Sequence, residues 1–195
     1  MKPVYTFIDL ETTGLEWETN QIIEIGAVKT DLDKVYGTFQ TTVQLYRMPK
    51  LPEFIRNLTG LTEDDLKVGM KIGDALEALD NFMYGTTVVA QYVPFDFSFL
   101  QDYYIEPPKF ICTRFLAKAI EPDKNPGLKY VTERLGIPLN NAHRALGDIE
   151  ATIEVFKRLK PIAEERGIDY MNKVGDTLER PLRFIPKYAE VVYQG

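Results

Sequence analysis

The chain has 195 residues, of which 45% are hydrophobic and 27% are charged. This composition excludes a disordered chain, and the length suits one domain of ordinary size. The formal net charge of −6 argues against a protein that only coats nucleic acid through a basic surface.

The cysteine content and the apolar runs indicate where such a protein works. A single cysteine, Cys112, excludes an intramolecular disulfide and fits a reducing compartment. Thr6 and Asp9 interrupt the N-terminal apolar run, which makes it a poor signal peptide. No apolar run approaches the roughly 20 residues of a membrane span. We therefore expect a cytoplasmic protein without membrane contact.

Three consecutive strands are predicted near the start of the chain. β-Branched and aromatic residues are concentrated at residues 4–10, 21–30 and 35–46. Because only short turns separate these segments, we expect them to pair as an antiparallel meander.

Strands and helices then alternate along the chain. Apolar residues recur at helical spacing, most clearly over residues 72–83. The other predicted helices cover residues 53–58, 62–66, 95–104, 113–119, 127–135 and 145–159, and two further strands cover 86–91 and 109–112. This order predicts an α/β fold with a mixed five-stranded sheet, an antiparallel meander of three strands plus parallel strands, flanked by helices.

The last part of the chain follows a different pattern. Residues 161–195 contain Pro161, Pro181 and Pro186 and have weak periodicity. We therefore predict one domain over residues 1–160 and a C-terminal part over residues 161–195, made of a helix and an extended tail. That part either packs on the domain or docks a partner.

Two carboxylates stand two residues apart at the end of the first predicted strand. Asp9 and Glu11 share one face, because alternate residues of a strand point the same way. Alone, this spacing is common in solvated strand ends. Here a buried strand precedes the pair and Thr12-Thr13-Gly14 follows it, which favours a ligand site. A hard divalent cation such as Mg²⁺ compensates two such charges.

A third carboxylate, Asp96, lies where the fourth predicted strand gives way to a helix. Pro94 ends the strand, so Asp96 falls in the first helical turn. An aspartate there either complements the helix dipole or binds a ligand. The phenylalanines at 95, 97 and 99 make a solvated charge a poor fit and favour the ligand.

The only histidine, His143, precedes the long predicted helix, and Asp148 follows five residues later. Asp148 shares a helical face with small residues, so its carboxylate lies on a close-packed surface and needs a partner. His143 is either a surface residue near a helix cap or a neutral imidazole that takes a proton from water.

These acidic features belong to three elements that can meet at one edge of a mixed sheet. Four carboxylates there can hold two divalent ions about 4 Å apart, the arrangement for in-line phosphodiester hydrolysis. We therefore predict a metal-dependent nuclease whose metal ligands are Asp9, Glu11, Asp96 and Asp148 and whose general base is His143.

Three ordered motifs carry a resemblance that covers about residues 4–158. FIDLETTG, VPFDFSFL and HRALGD contain the five residues above, and EIGAV and NLTGLT add two similar segments. In this order and spacing the motifs resemble the DnaQ-like, or DEDDh, family of 3′→5′ exonucleases on the ribonuclease H-like fold.

The resemblance implies removal of nucleotides from the 3′ end of single-stranded DNA or RNA, with release of nucleoside 5′-monophosphates. It implies dependence on two ions of Mg²⁺ or Mn²⁺. It also implies that Thr12, Thr13 and Gly14 grip the terminal nucleotide, while Leu15 wedges against its base.

Gln91-Tyr92 stands where the family often has His-Asn. Gln91 is expected to hydrogen-bond a phosphate, and Tyr92 either stacks on a base or packs against the protein. The same two alternatives apply to Trp17, which either stacks on a base or is an exposed aromatic residue in a turn.

The biological role stays open among proofreading beside a DNA polymerase, RNA trimming and degradation of short oligonucleotides. A DNA polymerase, or another replication or repair protein, is therefore an expected partner.

A non-catalytic scaffold would have lost acidic ligands, yet all are present. An endonuclease would not need the histidine of HRALGD. No motif fixes DNA against RNA, because that choice depends on contacts to the 2′-hydroxyl.

Overall fold

The computed structural model describes residues 2–140 and 143–194. The strands of its central sheet are β1 (Tyr5–Thr12), β2 (Ile22–Thr30), β3 (Val35–Thr42), β4 (Thr87–Ala90) and β5 (Phe110–Cys112). They lie in the order β3-β2-β1-β4-β5. The first three strands are antiparallel, whereas β4 runs parallel to β1 and β5 parallel to β4. The predicted mixed five-stranded sheet is confirmed.

The helices follow the predicted segments closely. They are α1 (Glu53–Thr59), α2 (Glu63–Lys67), α3 (Ile72–Met83), α4 (Val93–Leu100), α5 (Thr113–Ile120), α6 (Leu128–Leu135) and α7 (Ala145–Glu165). Helix α4 stops four residues before the predicted end, and a single 3₁₀ turn, Gln101–Tyr103, follows it. No helix within the described ranges is both long and apolar enough to cross a membrane.

Strand β1 is the middle strand of the sheet, and its apolar residues are buried on both faces. Tyr5 and Phe7 pack against Phe156 of α7, with ring centroids 5.3 and 5.8 Å apart. Ile8 and Leu10 belong to the hydrophobic cluster on the opposite face, together with Leu79 of α3. A strand covered on both sides needs a continuous apolar run, which is the pattern that its first residues show.

Strand β3 ends at Thr42, although its apolar pattern predicts an extension to residue 46. Val43 leaves the strand to form an isolated bridge with Met70. Its backbone N–H still donates to the Ile23 carbonyl at 2.8 Å. The extended chain therefore continues past Thr42, where it contacts both β2 and the segment at Met70.

Helix α7 packs very closely on β2 at Gly26. A Cβ atom at Gly26 would lie 2.8 Å from Cβ of Ala145, nearer than real Cβ atoms approach other atoms. The glycine therefore sets how closely the first turn of α7 reaches the sheet. That turn carries Asp148.

The C-terminal part begins inside the last long helix. Helix α7 continues through Pro161 to Glu165, so the first residues of the C-terminal part belong to that helix. Leu159 and Ala163 are buried on either side of the exposed Pro161, and this packing favours continuation of the helix past the proline. The residues beyond α7 contain two short parallel strands, β6 (Lys173–Asp176) and β7 (Glu190–Tyr193).

Candidate active site

Strand β1 presents Asp9 and Glu11 on one face. They are the two partly exposed positions of β1 and lie on either side of buried Leu10. In the register with β2, Asp9 lies opposite Gly26 and Glu11 lies opposite Glu24. The side chains of Asp9 and Glu11 therefore lie on the same face of β1.

Asp96 reaches the same place from the first turn of α4. Pro94 stands at the start of that helix, where its missing N–H costs no hydrogen bond, and Asp96 is 3% exposed. Burial raises the pKa of Asp96 to about 8, and hydrogen bonds from the backbone of Asp96 and Leu10 act against that rise. The contact with Leu10 joins Asp96 to β1 between the other two carboxylates.

Asp148 lies in the first turn of α7, and His143 lies on the loop before it. The His143 backbone N–H donates to Oδ2 of Asp148 at 3.3 Å. The backbone of His143 is left-handed, with φ at 62°. The side chain of Asp148 therefore holds the loop that presents the imidazole, as a capping aspartate holds a helix start.

The four carboxylates and the histidine converge. Among the described residues, Glu11, His143 and Asp148 each offer one ligand atom, and these atoms all lie within 4.8 Å of one another. Asp9 and Asp96 do not join that set, but the charges of Asp96, Glu11 and Asp148 all act on Asp9.

Burial and mutual repulsion determine the electrostatics of the cluster. Burial, followed by the charge of Asp96, holds the pKa of Asp9 well above its usual range. Burial, followed by the charge of Asp148, raises the pKa of Glu11 to about 8. Burial also raises the pKa of Asp148. Acids grouped in this way retain protons near neutral pH unless a cation compensates them.

The donor set fits a hard divalent cation. Carboxylate oxygens are the ligands that Mg²⁺ prefers. A bound cation would offset the burial and mutual repulsion that raise the pKa values of Asp9 and Glu11. The imidazole of His143 lies close enough to Glu11 and Asp148 to act either as a ligand or as a base. The geometry therefore leaves both roles open for the histidine.

The loop after β1 is held by its own side chains. Oγ1 of Thr12 donates to the Gly14 carbonyl at 2.6 Å, and Oγ1 of Thr13 donates to Oδ1 of Asn20 at 3.1 Å. A Cβ atom at Gly14 would lie 2.6 Å from that same Oδ1. The glycine expected to let a ligand approach therefore also makes room for Asn20.

Two of the other predicted substrate residues line one cavity. Leu15 is 68% exposed and lines the cavity with Tyr92. The Tyr92 ring lies 4.2 Å from the guanidinium carbon of Arg180 and 5.5 Å from that of Arg114. Nε2 of Gln91 donates to the Pro126 carbonyl at 3.3 Å.

Sequence reasoning missed one ionic contact that supports the site. Glu24 is fully buried and accepts hydrogen bonds from Nη2 of Arg144 at 2.8 Å and from the Ala145 N–H at 3.2 Å. Nε2 of Gln40 donates to it at 2.9 Å. The sequence signal for this contact is a single acid, Glu24, inside the apolar run QIIEIGAV. Arg144 stands beside His143, so this contact ties the histidine loop to β2.

Comparison with known proteins gives the family. The model of a family described as exonuclease matches residues 6–156. The epsilon subunit of DNA polymerase III from Aquifex aeolicus is 32% identical over 162 residues, which are 80% of this chain and 79% of that protein. The chain belongs to this exonuclease family. The predicted DnaQ-like, DEDDh type is confirmed.

Two further likenesses place this exonuclease domain among its relatives. A PolC-type DNA polymerase III from Caldanaerobacter subterraneus is 31% identical over 198 residues, 94% of this chain but 14% of that protein. The chain therefore spans a small part of the PolC-type relatives that it matches. The nuclease domain of 3′hExo, a DEDDh family member bound to rAMP, shares the fold with a TM-score of 0.71 at 21% identity, over 87% of this chain and 95% of that one.

Proposed function

We propose that this domain is a metal-dependent 3′→5′ exonuclease. It hydrolyses phosphodiester bonds of single-stranded DNA or RNA from the 3′ end and releases nucleoside 5′-monophosphates. The observation that carries the proposal is the cluster of four carboxylates with raised pKa values beside an exposed histidine.

The carboxylates of Asp9, Glu11, Asp96 and Asp148 would hold two ions of Mg²⁺ or Mn²⁺. Bound ions would supply a water of lowered pKa and stabilise the charge on the leaving oxygen. Because Glu11 and Asp96 have pKa values of about 8, metal binding near neutral pH displaces protons from them. The affinity for metal therefore rises with pH.

The protein's own groups orient and deprotonate the water. An imidazole nitrogen of His143 takes the proton from the attacking water, as a neutral imidazole can do near pH 7. Asp148 holds the backbone of His143, and Arg144 anchors the adjoining residue to Glu24. The loop is thus held at His143 and at the residue that follows it before substrate arrives.

The terminal nucleotide would lie against the loop Thr12-Thr13-Gly14, with Leu15 against its base. Leu15 is well placed for this contact, because it is an exposed apolar side chain that lines a cavity. The polymerase III relatives support a DNA polymerase, or another replication or repair protein, as partner. Single-stranded DNA and RNA both stay candidates for the substrate.

Incubation with 5′-labelled single-stranded DNA and RNA, in Mg²⁺, Mn²⁺ or EDTA, tests the proposal. We expect a ladder that shortens from the 3′ end with metal and no cleavage in EDTA. Asp9→Asn and His143→Ala should each abolish turnover, whereas Asp74→Asn, an exposed acid at the start of α3, should not. Internal cuts in a circular substrate would indicate an endonuclease, and no cleavage with either metal would contradict the proposal.

A further inference from the structure

A cavity of about 500 Å³ opens beside the candidate active site. That volume lies within the usual range for small-ligand sites. One side is formed by Leu15 and Trp17 from the loop after β1, and by Phe95 from α4. Leu15 lies four residues after Glu11 of β1, and Phe95 directly precedes Asp96 in the chain. The cavity is therefore continuous with the segments that hold the carboxylates.

The opposite side is formed by the connection between β6 and β7, residues 177–189, here called the C-terminal wall. It contributes Arg180, Arg183 and Phe184 to the cavity. The ring of Phe184 lies 5.9 Å from the ring of Trp17. The wall lies outside residues 6–156, which the family model matches.

The wall has a defined conformation near the arginines. The Arg180 N–H donates to Oγ1 of Thr177 at 3.0 Å, and the Leu182 N–H donates to Oδ1 of Asp176 at 3.0 Å. Opposite, Nη1 of Arg47 donates to the Trp17 carbonyl at 2.6 Å and so fixes the loop after β1. Both sides of the cavity are thus held by hydrogen bonds.

Basic and acidic side chains both line the cavity. The chain has a net charge of −6, yet two exposed arginines face the cavity from the wall. Arg180 stacks on Tyr92 with its guanidinium carbon 4.2 Å from the ring centroid. Arg183 pairs with Glu16, and its side chain stays 68% exposed. Glu179 is the acid that lines the same cavity.

We propose that the cavity binds the nucleotides that precede the terminal one in a single-stranded polynucleotide. Arg180 and Arg183 contact their phosphates, and Trp17 and Phe184 stack on their bases. A positively charged groove with aromatic side chains is the usual platform for single strands. The inference rests on the proposed function, since the active site defines the direction from which the strand arrives.

A purely structural role for the arginines makes a different prediction. If they only fasten the wall, their loss lowers the melting temperature and affects substrates of every length alike. If they contact phosphates, their loss weakens binding of long strands and spares a dinucleotide, whose single phosphate lies at the catalytic carboxylates. Each lost phosphate contact should also lower the salt dependence of binding by about 0.7 in the log–log slope.

The test uses the full chain with Arg180→Gln, Arg183→Gln and both together. Arg158→Gln, an exposed arginine on α7, removes the same charge elsewhere and is the matched control. Binding of fluorescein-labelled dT10 and rU10 is measured by anisotropy in Mg²⁺ on the His143→Ala background, at several salt concentrations. Hydrolysis of a dinucleotide and of a ten-nucleotide strand is measured on the wild-type background.

We expect Kd and the KM for the ten-nucleotide strand to rise about three- to tenfold per arginine, with kcat for the dinucleotide unchanged. Equal Kd and equal salt slope in all variants would overturn the proposal, as would failure of the His143→Ala protein to bind either strand. If wild-type protein does not cleave while the arginines still determine binding, the proposed function fails and the cavity assignment stands. A preference for dT10 or rU10 identifies the kind of strand.

Discussion

Glu11 and Glu24 lie opposite each other on neighbouring strands, yet their surroundings are opposite in kind. Glu24 is fully buried and accepts hydrogen bonds from Arg144, Ala145 and Gln40. Glu11 has acidic neighbours, and burial together with their charges raises its pKa to about 8. One acid has its charge compensated inside the protein, and the other does not.

In the proposed function, this difference separates a structural carboxylate, Glu24, from a metal-binding one, Glu11. Arg144 acts on both glutamates but unequally. It forms an ion pair with Glu24, and it only partly offsets the rise in the pKa of Glu11. A buried acid with a complete set of partners stabilises the fold only if those partners stay. In the proposed function, a bound cation compensates the charge of Glu11. Exchange of one glutamate at a time tests this separation.

The largest effect is expected from Glu11→Gln. Loss of a metal ligand should lower kcat at least about 10³-fold. The same change should raise the melting temperature of the metal-free protein, because it removes a buried repulsion. Steady-state kinetics and calorimetry in EDTA check both effects. A melting temperature that falls in EDTA would show that Glu11 is structural like Glu24.

Glu24→Gln should act in the opposite way. It leaves Arg144 without its carboxylate, so we expect a loss of about 2–4 kcal/mol in the free energy of unfolding. Turnover should fall about tenfold through a loosened histidine loop. Urea denaturation gives the free energy, and Arg144→Lys, which keeps the charge but not the two-pronged contact, should lie between wild type and Glu24→Gln. A silent Glu24→Gln would refute the anchoring role.

Gly26→Ala sharpens the comparison because it affects both the hydrogen bond to Glu24 and the position of Asp148 in the carboxylate cluster. The added methyl group would press on Ala145, whose N–H donates to Glu24, and would move the turn that carries Asp148. We expect a loss of about 1–3 kcal/mol in stability and weaker Mg²⁺ binding by titration calorimetry. Gly73→Ala in α3 meets no atom within 4 Å and should stabilise slightly. Equal effects of the two changes would disprove the close packing.

The smallest effect concerns pH in the absence of metal. The pKa of Glu11 rises from 4.5 to about 8 on folding, so the folded state binds its proton more tightly. This contribution to stability is fully present below pH about 4.5 and is lost as the pH rises through about 8. We expect the melting temperature in EDTA to fall by about 3–6 °C from pH 5 to pH 8. Glu11→Gln should flatten the profile, and an equally steep profile in that variant would assign the effect elsewhere.

Local patterns predicted most of the fold. The strands of the central sheet and α3, α5 and α6 depend on runs and periods that are visible within a few residues. Helix α7 was underestimated because Pro161 breaks helices on average, while burial of Leu159 and Ala163 outweighs that tendency here. A local rule failed where tertiary packing had the larger free energy.

The sequence predicts the candidate site residues that lie in short motifs. It does not predict contacts between residues that are far apart in the chain. Asp9 and Asp96 stand in short segments with their own signals. The contact between Glu24 and Arg144 joins residues 120 positions apart, and no local pattern pairs them. The arginines of the C-terminal wall were likewise invisible, because only the folded chain brings Arg180 to Tyr92. Long-range partners of a buried charge have to be seen in three dimensions.

The pairing of β6 with β7 has a mechanical consequence for the wall. Parallel strands require a long crossover between them, and here that crossover is the wall itself. Its two ends are held together by one short ladder. The pairs of that ladder, and not the contacts of Arg180 or Phe184, therefore offset the entropic cost of closing the loop. The width of the cavity is therefore set at a distance from the residues that line it. Opening the ladder at Val192 would free the ends of the wall and leave it held by the contacts of Arg180, Arg183 and Phe184.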